Sequence, residues 1–521
     1  MSWWLSPSAI SNPVNKNIPI NRREFLKLAG LLSAYAIPHF FSNPGVARQN
    51  LKGENVLIVV FDAFSASNIS LSGYGRLTTP HINRLAEKAI VYHNHFAGAN
   101  FTTPGTASLL TGVLPWTHRA FKLNDPVTEA YGNKSIFHAI PDYHRFAYTH
   151  NPYANTLLRQ FFAGSDGLTP RRNLFLESDF LPSVLFENDE DIASVSWEQA
   201  LRSRPDGFSY SLYLSQLYEI MKEKDLKQIS QNFPLGLPSQ DNGNYFILEQ
   251  GIDYLMKQLQ TAPQPFLGYY HFLPPHEPYN TRADYYGKFA GDEYHPVHKP
   301  KHFFNSGRTE EELSALRLHY DEFILYVDSE FARLYDFMER QGLLENTWLV
   351  LTSDHGEMFE RGVSGHIHWL LHQPVIHIPL LIFAPGQSKR TDVFNLTSAV
   401  DILPTMAHLT DHDVPSWGEG TILPPFSTPP AQREVFSLKV SGFNEKRQIT
   451  KGTAVSAQGS YKLMYFFGYN ALGEQGEMLE LYNLDIDPEE LNNLYPAERE
   501  VADQPKKILK AKIAQSNQPY S

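Results

Sequence analysis

Apolar residues run without a break from Val56 to Phe61, a β-branched stretch that predicts a strand buried on both faces. A helical pattern follows over Thr79–Ala89, with the threonine placed to cap it and Pro80 in its first turn. Further strands are predicted at Phe266–Phe272, Trp348–Leu351 and Ile378–Phe383, separated by helical stretches such as Glu310–Gln341. Strands alternating with helices predict an α/β domain, a mostly parallel sheet sandwiched by helices, over residues 48–430. Within it, residues 151–245 are less regular, rich in aromatic and acidic side chains, and read as an insertion. Beyond about residue 430 the pattern changes to hairpin-like runs, among them Tyr461–Phe467 between glycines. This predicts a small C-terminal α+β subdomain over 431–521.

The N-terminus follows neither pattern. Arg22-Arg23-Glu24-Phe25-Leu26-Lys27 precedes the apolar run Leu28 to Ile37, an arrangement that resembles a twin-arginine export signal. The run is too short for a bilayer span, which takes about 20 residues. Small residues at Gly45 and Ala47 permit cleavage, so residues 1–47 are expected to be a signal. The expected address is periplasmic or extracellular, with no transmembrane segment after signal removal.

Composition narrows the function. The 521 residues are 42% hydrophobic and 19% charged, as in globular proteins. A formal charge of −12 argues against nucleic acid as a partner, because phosphate binding needs a basic face. An anionic substrate then requires a local positive centre such as a metal ion. The chain has no cysteine, which excludes disulfides, thiolate metal sites and a cysteine nucleophile.

Candidate chemistry collects after predicted strands. Asp62 follows the first, and Ser353-Asp354-His355-Gly356-Glu357 follows another. Ligands of open α/β sheets bind at the carboxyl ends of strands, so these acids share one rim. Two carboxylates and an imidazole suit a divalent cation. In Phe101–Gly112, Pro104 suits a first helical turn and puts Thr102 at or just before the helix N-terminus. A hydroxyl there can be a plain cap or, beside a metal, a nucleophile toward a phosphoryl or sulfuryl centre.

The order of motifs resembles the sulfatase family of the alkaline phosphatase superfamily. Asp62, Gly73-Tyr74-Gly75 and Thr79-Pro80-His81-Ile82-Asn83-Arg84-Leu85-Ala86 follow that family's opening. Thr102 to Gly112 lies on its Cys-x-Pro-Ser-Arg signature, and Thr352 to Glu357 matches Thr-Ser-Asp-His-Gly-Glu. Gly365-His366 begins the stretch usually written Gly-His-Gly-Lys, and Leu481-Tyr482-Asn483-Leu484 closes the order. The resemblance implies an alkaline-phosphatase-like fold. It also implies one divalent metal on Asp62, Thr102, Asp354 and His355, manganese or zinc rather than calcium.

The departures bear on the reaction. Family sulfatases use a formylglycine made from cysteine or serine, and threonine cannot supply that aldehyde. The signature arginine is replaced by Thr106, and the lysines that grip sulfate fall on His150 and His368. Thr102 with the aspartate–histidine pair is similar to the phosphodiesterases and phosphotransferases of the superfamily. The expected function is therefore phosphodiester cleavage or transfer through Thr102. His276 and His368 are expected to bind the anion or protonate the leaving oxygen, with His150 and His366 as further anion-binding candidates. The substrate is expected to be a small anionic ester, a glycan or a lipid headgroup. Two alternatives stay open: a sulfuric ester hydrolase working without formylglycine, and an inactive binding protein.

Overall fold

The computed structural model describes residues 53–176, 224–241 and 244–521. The expected signal (1–47) and much of the expected insertion lie outside the described residues. The central sheet is built from β1 (Asn55–Phe61), β2 (Ile90–Tyr92), β3 (His144–Thr149), β4 (Phe266–Phe272), β5 (Thr347–Thr352), β6 (Leu380–Phe383) and β7 (Thr391–Val393). Their order is β7-β2-β6-β5-β1-β4-β3. Only β6 runs antiparallel to its neighbours; the other pairs are parallel, as the alternating pattern predicts.

Every residue of β1 is buried, because the strand lies inside the sheet and both faces are covered. Leu57, Val59 and Phe61 pack with α4 (Leu248–Thr261) and α5 (Glu310–Arg340), through Ile252, Leu255, Phe323 and Val327. Val56, Ile58 and Val60 pack on the opposite face with α2 (Thr102–Thr111) and α6 (Ile402–Leu409), through Leu109, Leu110, Leu403 and Met406. An unbroken apolar run is what such two-sided burial requires. Each such side chain contributes about 1.5–3 kcal/mol, so a charge placed at Val60 would disrupt the centre of the sheet.

Two local expectations are corrected. The helix expected over Thr79–Ala89 is shorter: α1 spans Pro80–Leu85 and tightens into one 3-10 turn, Ala86–Lys88. Thr79 does not cap it. Its hydroxyl pairs with Ser70 at 2.9 Å, and the buried Asp328 carboxylate of α5 accepts from the N–H groups of His81 (2.9 Å) and Ile82 (2.7 Å). The stretch expected to be irregular from residue 151 opens instead on a regular helix, α3 (Pro152–Phe161). Its cap is Asn151, whose side-chain oxygen accepts from Tyr153 N at 2.7 Å and Ala154 N at 3.3 Å.

The C-terminal part is an antiparallel sheet of β8 (Glu434–Phe443), β9 (Ile449–Gln458), β10 (Tyr461–Phe467) and β11 (Glu477–Asn483). Helix α7 (Arg499–Asn517) covers it with Ala502, Leu509 and Ile513. The sheet is tied to the segment ahead of α2: Leu438 N donates to Gly98 O (2.9 Å) and Ser437 Oγ to Ala97 O (2.6 Å). Among the described residues, no helix is long and apolar enough to cross a membrane.

Candidate functional site

Four neighbouring parallel strands, β5-β1-β4-β3, deliver polar residues at their carboxyl ends. Asp354 and His355 follow β5, Asp62 follows β1, His271 is the penultimate residue of β4, and Asn151 comes two residues after β3. This is the rim where open parallel sheets bind ligands. All five are fully buried, in a domain whose other buried positions are mostly apolar. Thr102 meets them from the first position of α2 and is 2% exposed. Gly105, one turn on, lets the helix come this close: a Cβ there would sit 2.4 Å from the Asp354 carbonyl oxygen.

The Asp62 carboxylate is the hub. Its Oδ1 lies 3.3 Å from His355 Nε2, and its Oδ2 lies 3.3 Å from His271 Nε2 and 2.5 Å from Asn151 Nδ2. Asp354 Oδ2 lies 3.7 Å from both His271 Nε2 and His355 Nε2. Its other oxygen accepts from His355 N at 3.1 Å and Ala63 N at 3.4 Å. Thr102 Oγ1 stands 3.4 Å from His355 Nε2 and accepts from Asn151 Nδ2 at 3.2 Å. The four residues expected to hold a metal therefore converge around one centre.

Electrostatics reinforce the geometry. Burial alone would raise Asp62, but the imidazoles of His276, His271 and His355 hold its carboxyl well below the usual range. Burial and the charge of Asp62 raise Asp354. Burial works against a charged His355, yet Asp354 and Asp62 lift it to about 9. A cluster that draws a proton this strongly has a demand for positive charge that a divalent ion meets.

The donor set fits such an ion. One ligand atom from each of Asp62, Asp354 and His355 lies within 4.8 Å of the others. Asp62 Oδ1 and His271 Nε2 are buried without a hydrogen-bond partner, which is costly unless something completes them. His355 Nδ1 pairs with Gly356 O at 3.0 Å, which fixes its tautomer and turns the Nε2 lone pair inward. A second cluster, His302, His372 and Glu480, is arranged differently. His302 Nδ1 accepts from Phe304 N at 2.9 Å, so Nε2 carries the proton and donates it to Glu480 at 2.8 Å. That nitrogen has no lone pair left for a metal.

The other histidines divide. His276, 7% exposed, packs against His366 with ring centroids 4.8 Å apart, and His366 lies 4.3 Å from His355. His276 Nδ1 pairs with Glu277 O at 2.6 Å, leaving Nε2 for a ligand. His366 Nδ1 pairs with the buried Glu357 at 3.0 Å, and burial with the nearby His355 lowers its pKa well below 6.5. His368 turns both ring nitrogens onto its own loop, toward Gly365 O (3.1 Å) and Leu370 N (3.1 Å). His150 does not face the anion as expected. It stacks on Phe246 at 4.2 Å, both ring nitrogens are unpartnered, and burial and Arg171 push its pKa down. Asn151 is the residue that reaches Asp62 and Thr102 from this strand end.

Sequence reasoning missed Asn151 and His271 as site residues. The signals were present: an asparagine before Pro152 is a helix cap at a strand end, and His271 is the one imidazole in the run Phe266–Phe272, close to its carboxyl end.

Comparison with known proteins identifies the family. The sequence profile described as Sulfatase matches residues 54–158 and 193–412, and that described as N-sulphoglucosamine sulphohydrolase, C-terminal, matches 366–518. The multifunctional alkaline phosphatase superfamily protein PehA of Trinickia caryophylli is 23% identical, over 85% of this chain and 91% of its own length. The choline-sulfatase of Rhizobium meliloti (strain 1021) is 22% identical, over 86% of this chain and 84% of its own. Among solved structures, the phosphonate monoester hydrolase of Agrobacterium radiobacter superposes with a TM-score of 0.61 at 20% identity, covering 89% of this chain and 96% of that one. A 2-O GAG sulfatase gives 0.61 at 16% identity, with 90% and 94% covered. With the Sulfatase profile matching more than half of its residues, the chain belongs to the sulfatase family and is a hydrolase of the alkaline phosphatase superfamily.

Proposed function

We propose that this sulfatase-family hydrolase cleaves a phosphodiester through Thr102. The observation that carries the reading is the Thr102 hydroxyl, set at a helix N-terminus between His355 and Asn151 in the place where sulfatases form an aldehyde that threonine cannot form. PehA is named as an alkaline phosphatase superfamily protein and the structural neighbour as a phosphonate monoester hydrolase, so phosphorus-ester chemistry occurs on this fold.

Asp62, Asp354, His355 and Thr102 would hold the divalent metal on which sulfatase-family proteins depend, with His271 beside them. Nitrogen donors among few oxygens favour zinc or manganese over calcium, which prefers six to eight oxygens. When bound, such an ion supplies Lewis-acid stabilisation of charge on the ester and lowers the pKa of a neighbouring hydroxyl. Thr102 Oγ, its proton passing to solvent water, attacks phosphorus as the bond to the leaving oxygen breaks, giving a phosphoryl-threonine diester that keeps the other ester group. The Asn151 amide orients the attacking oxygen. Protonated His276 gives the Nε2 proton to the leaving oxygen, with Nδ1 steadied by Glu277 O. Water then takes the phosphoryl group, and Thr102 is restored.

Sulfate ester cleavage is the second reading, favoured by the choline-sulfatase relative. The orphaned donors Asp62 Oδ1 and His271 Nε2 argue against a mere binding protein, which has no use for them. The arginine pair and apolar run of residues 22–37 support export as part of the proposal. The test is a panel assay of the metal-loaded protein on aryl phosphodiesters, phosphomonoesters and sulfate esters. Preference for a phosphodiester supports the reading. Sulfate ester turnover exceeding that of every phosphodiester overturns it.

A further inference from the structure

The three positions at which the sulfatase resemblance leads one to expect a fixed cation supply none. Thr106 donates to Asp354 Oδ2 at 3.4 Å, and His150 is stacked on Phe246. Burial pushes His368 down to about 3, so it is neutral, with both nitrogens held by its own loop. An anionic ester would meet a site whose nearest fixed groups include two carboxylates.

Positive charge arrives from elsewhere in the fold. Lys439 lies on β8, the strand tied through Ser437 and Leu438 to Ala97 and Gly98. Its Nζ stands 4.1 Å from the ring centroid of Phe101, the residue immediately before Thr102. Lys439 is only 9% exposed. Among the described residues its ammonium has no hydrogen bond and no carboxylate partner; the Phe101 ring is its one polar contact.

Other buried lysines are treated differently. Lys462 on β10 is paired with Glu490 at 2.6 Å, and Lys299 with Glu360 and Glu489 at 2.7 Å each. A buried ammonium without a counter-charge is costly, and folds normally pair it. Burial draws Lys439 down only to about 8, which leaves it charged at neutral pH.

We propose that Lys439 is the fixed cation of the substrate pocket, gripping an anionic oxygen of the ester beside Thr102. The role played elsewhere in the family by a loop lysine would here be taken by the C-terminal sheet. This rests on the reading that an anionic ester reacts at Thr102, and it deepens that reading by naming a specificity-determining residue.

The test uses the metal-loaded full chain, with inorganic phosphate and inorganic sulfate as probes in titration calorimetry. Lys439→Met keeps the length of the stem and its contact with Phe101 but removes the charge. It is expected to weaken binding of the preferred anion about tenfold or more, and to raise KM for the ester more than it lowers kcat. Lys439→Arg is expected to recover most of the binding, which a purely packing role would not give. If Lys439→Met fails to fold, Lys439→Gln is measured in its place. Anion binding as tight as wild type in a folded, charge-free variant would overturn the proposal. Failure of the phosphodiester reading is separable. Should sulfate esters be preferred, the same lysine dependence is read with sulfate, and Thr102→Ala tests the nucleophile without touching Lys439.

Discussion

Asn151 Nδ2 donates to both Thr102 Oγ1, at 3.2 Å, and Asp62 Oδ2, at 2.5 Å, so one amide joins the proposed nucleophile to the carboxylate proposed to hold the metal. The other end of the same side chain caps α3. The two duties can be separated. Asn151→Asp keeps the capping oxygen but replaces the donor with a negative charge facing Asp62. It is expected to leave the helix capped while kcat falls on the order of 10²-fold, comparable to removing one transition-state donor. Asn151→Ala should show the same kinetic loss plus about 1 kcal/mol of lost stability. Steady-state kinetics together with urea melts check this, and wild-type turnover in Asn151→Asp would remove Asn151 from the site.

Thr102 itself gives the decisive contrast. Thr102→Ala deletes the nucleophile and one donor yet leaves Asp62, Asp354 and His355 in place. Turnover is expected to fall by roughly 10⁴-fold or more, with metal still bound. Thr102→Ser keeps the hydroxyl and should retain measurable activity. Mass spectrometry of enzyme quenched during turnover should find a phosphoryl adduct on Thr102 in the wild type. A Thr102→Ala enzyme within a few fold of wild type would reduce Thr102 to a structural residue.

The parts of this site that were legible in the sequence are those whose signal is local. Asp62 and Asp354 each follow an apolar run, and strand ends are where parallel sheets bind ligands, so both could be placed without coordinates. Thr102 was legible through Pro104, which marks the first turn of α2. His150 was misplaced because residues 150 and 151 point different ways where β3 gives onto α3, and motif order does not say which of two adjacent side chains faces Asp62 and Thr102. His271 was passed over because it lies inside a predicted core strand, where a lone histidine reads as buried packing rather than as part of a site. Lys439 could not be read at all, since its relation to Phe101 depends on how the C-terminal sheet docks on the segment before α2. The cap of α1 was hidden for the same reason: Asp328 acts from a helix far along the chain.

His271 is expected to behave as part of the metal centre. Its Nε2 is buried, unpartnered and 3.3 Å from Asp62. His271→Ala should weaken metal binding by roughly 10–100-fold, as loss of a ligand or its supporting partner does. Competition titration with a chromogenic chelator measures this directly. Unchanged affinity would place His271 outside the centre and make its contact with Asp62 purely structural.

Gly105 tests the packing that brings Thr102 against Asp354 and His355. The added Cβ of Gly105→Ala meets backbone, the Asp354 carbonyl oxygen at 2.4 Å, and so cannot be relieved by a side-chain rotation. Either α2 or the loop after β5 must move. The expected cost is about 1–3 kcal/mol, with activity falling further than stability because Thr102 and Asp354 ride on the two displaced segments. Denaturant melts and kinetics on the same sample separate these effects. A stable, fully active Gly105→Ala would mean that the close approach of α2 is not required.

The acid limb of stability should trace to Glu490. This fully buried carboxylate accepts from Lys462 Nζ at 2.6 Å, faces His372 Nδ1 at 3.1 Å and accepts from Gln373 N at 2.8 Å, joining the C-terminal sheet to the loop before Gln373. Burial alone would raise its pKa, but Lys462 and His372 hold it far below 4.5. A carboxyl depressed in the folded state contributes its full stabilisation above its unfolded pKa, near 4.3. That contribution is lost as the pH falls from there toward the folded value, because the unfolded chain then binds more protons. His372 acts in the same direction from higher pH, since burial lowers it below 6.5. Glu490→Gln is therefore expected to be less stable at pH 7 by about 3–5 kcal/mol, with Lys462 left unpaired in the interior. Its melting temperature should fall less steeply below pH 5, so that the curves of variant and wild type converge in acid. Parallel curves down to pH 3 would show that the Lys462–Glu490 pair does not govern acid stability.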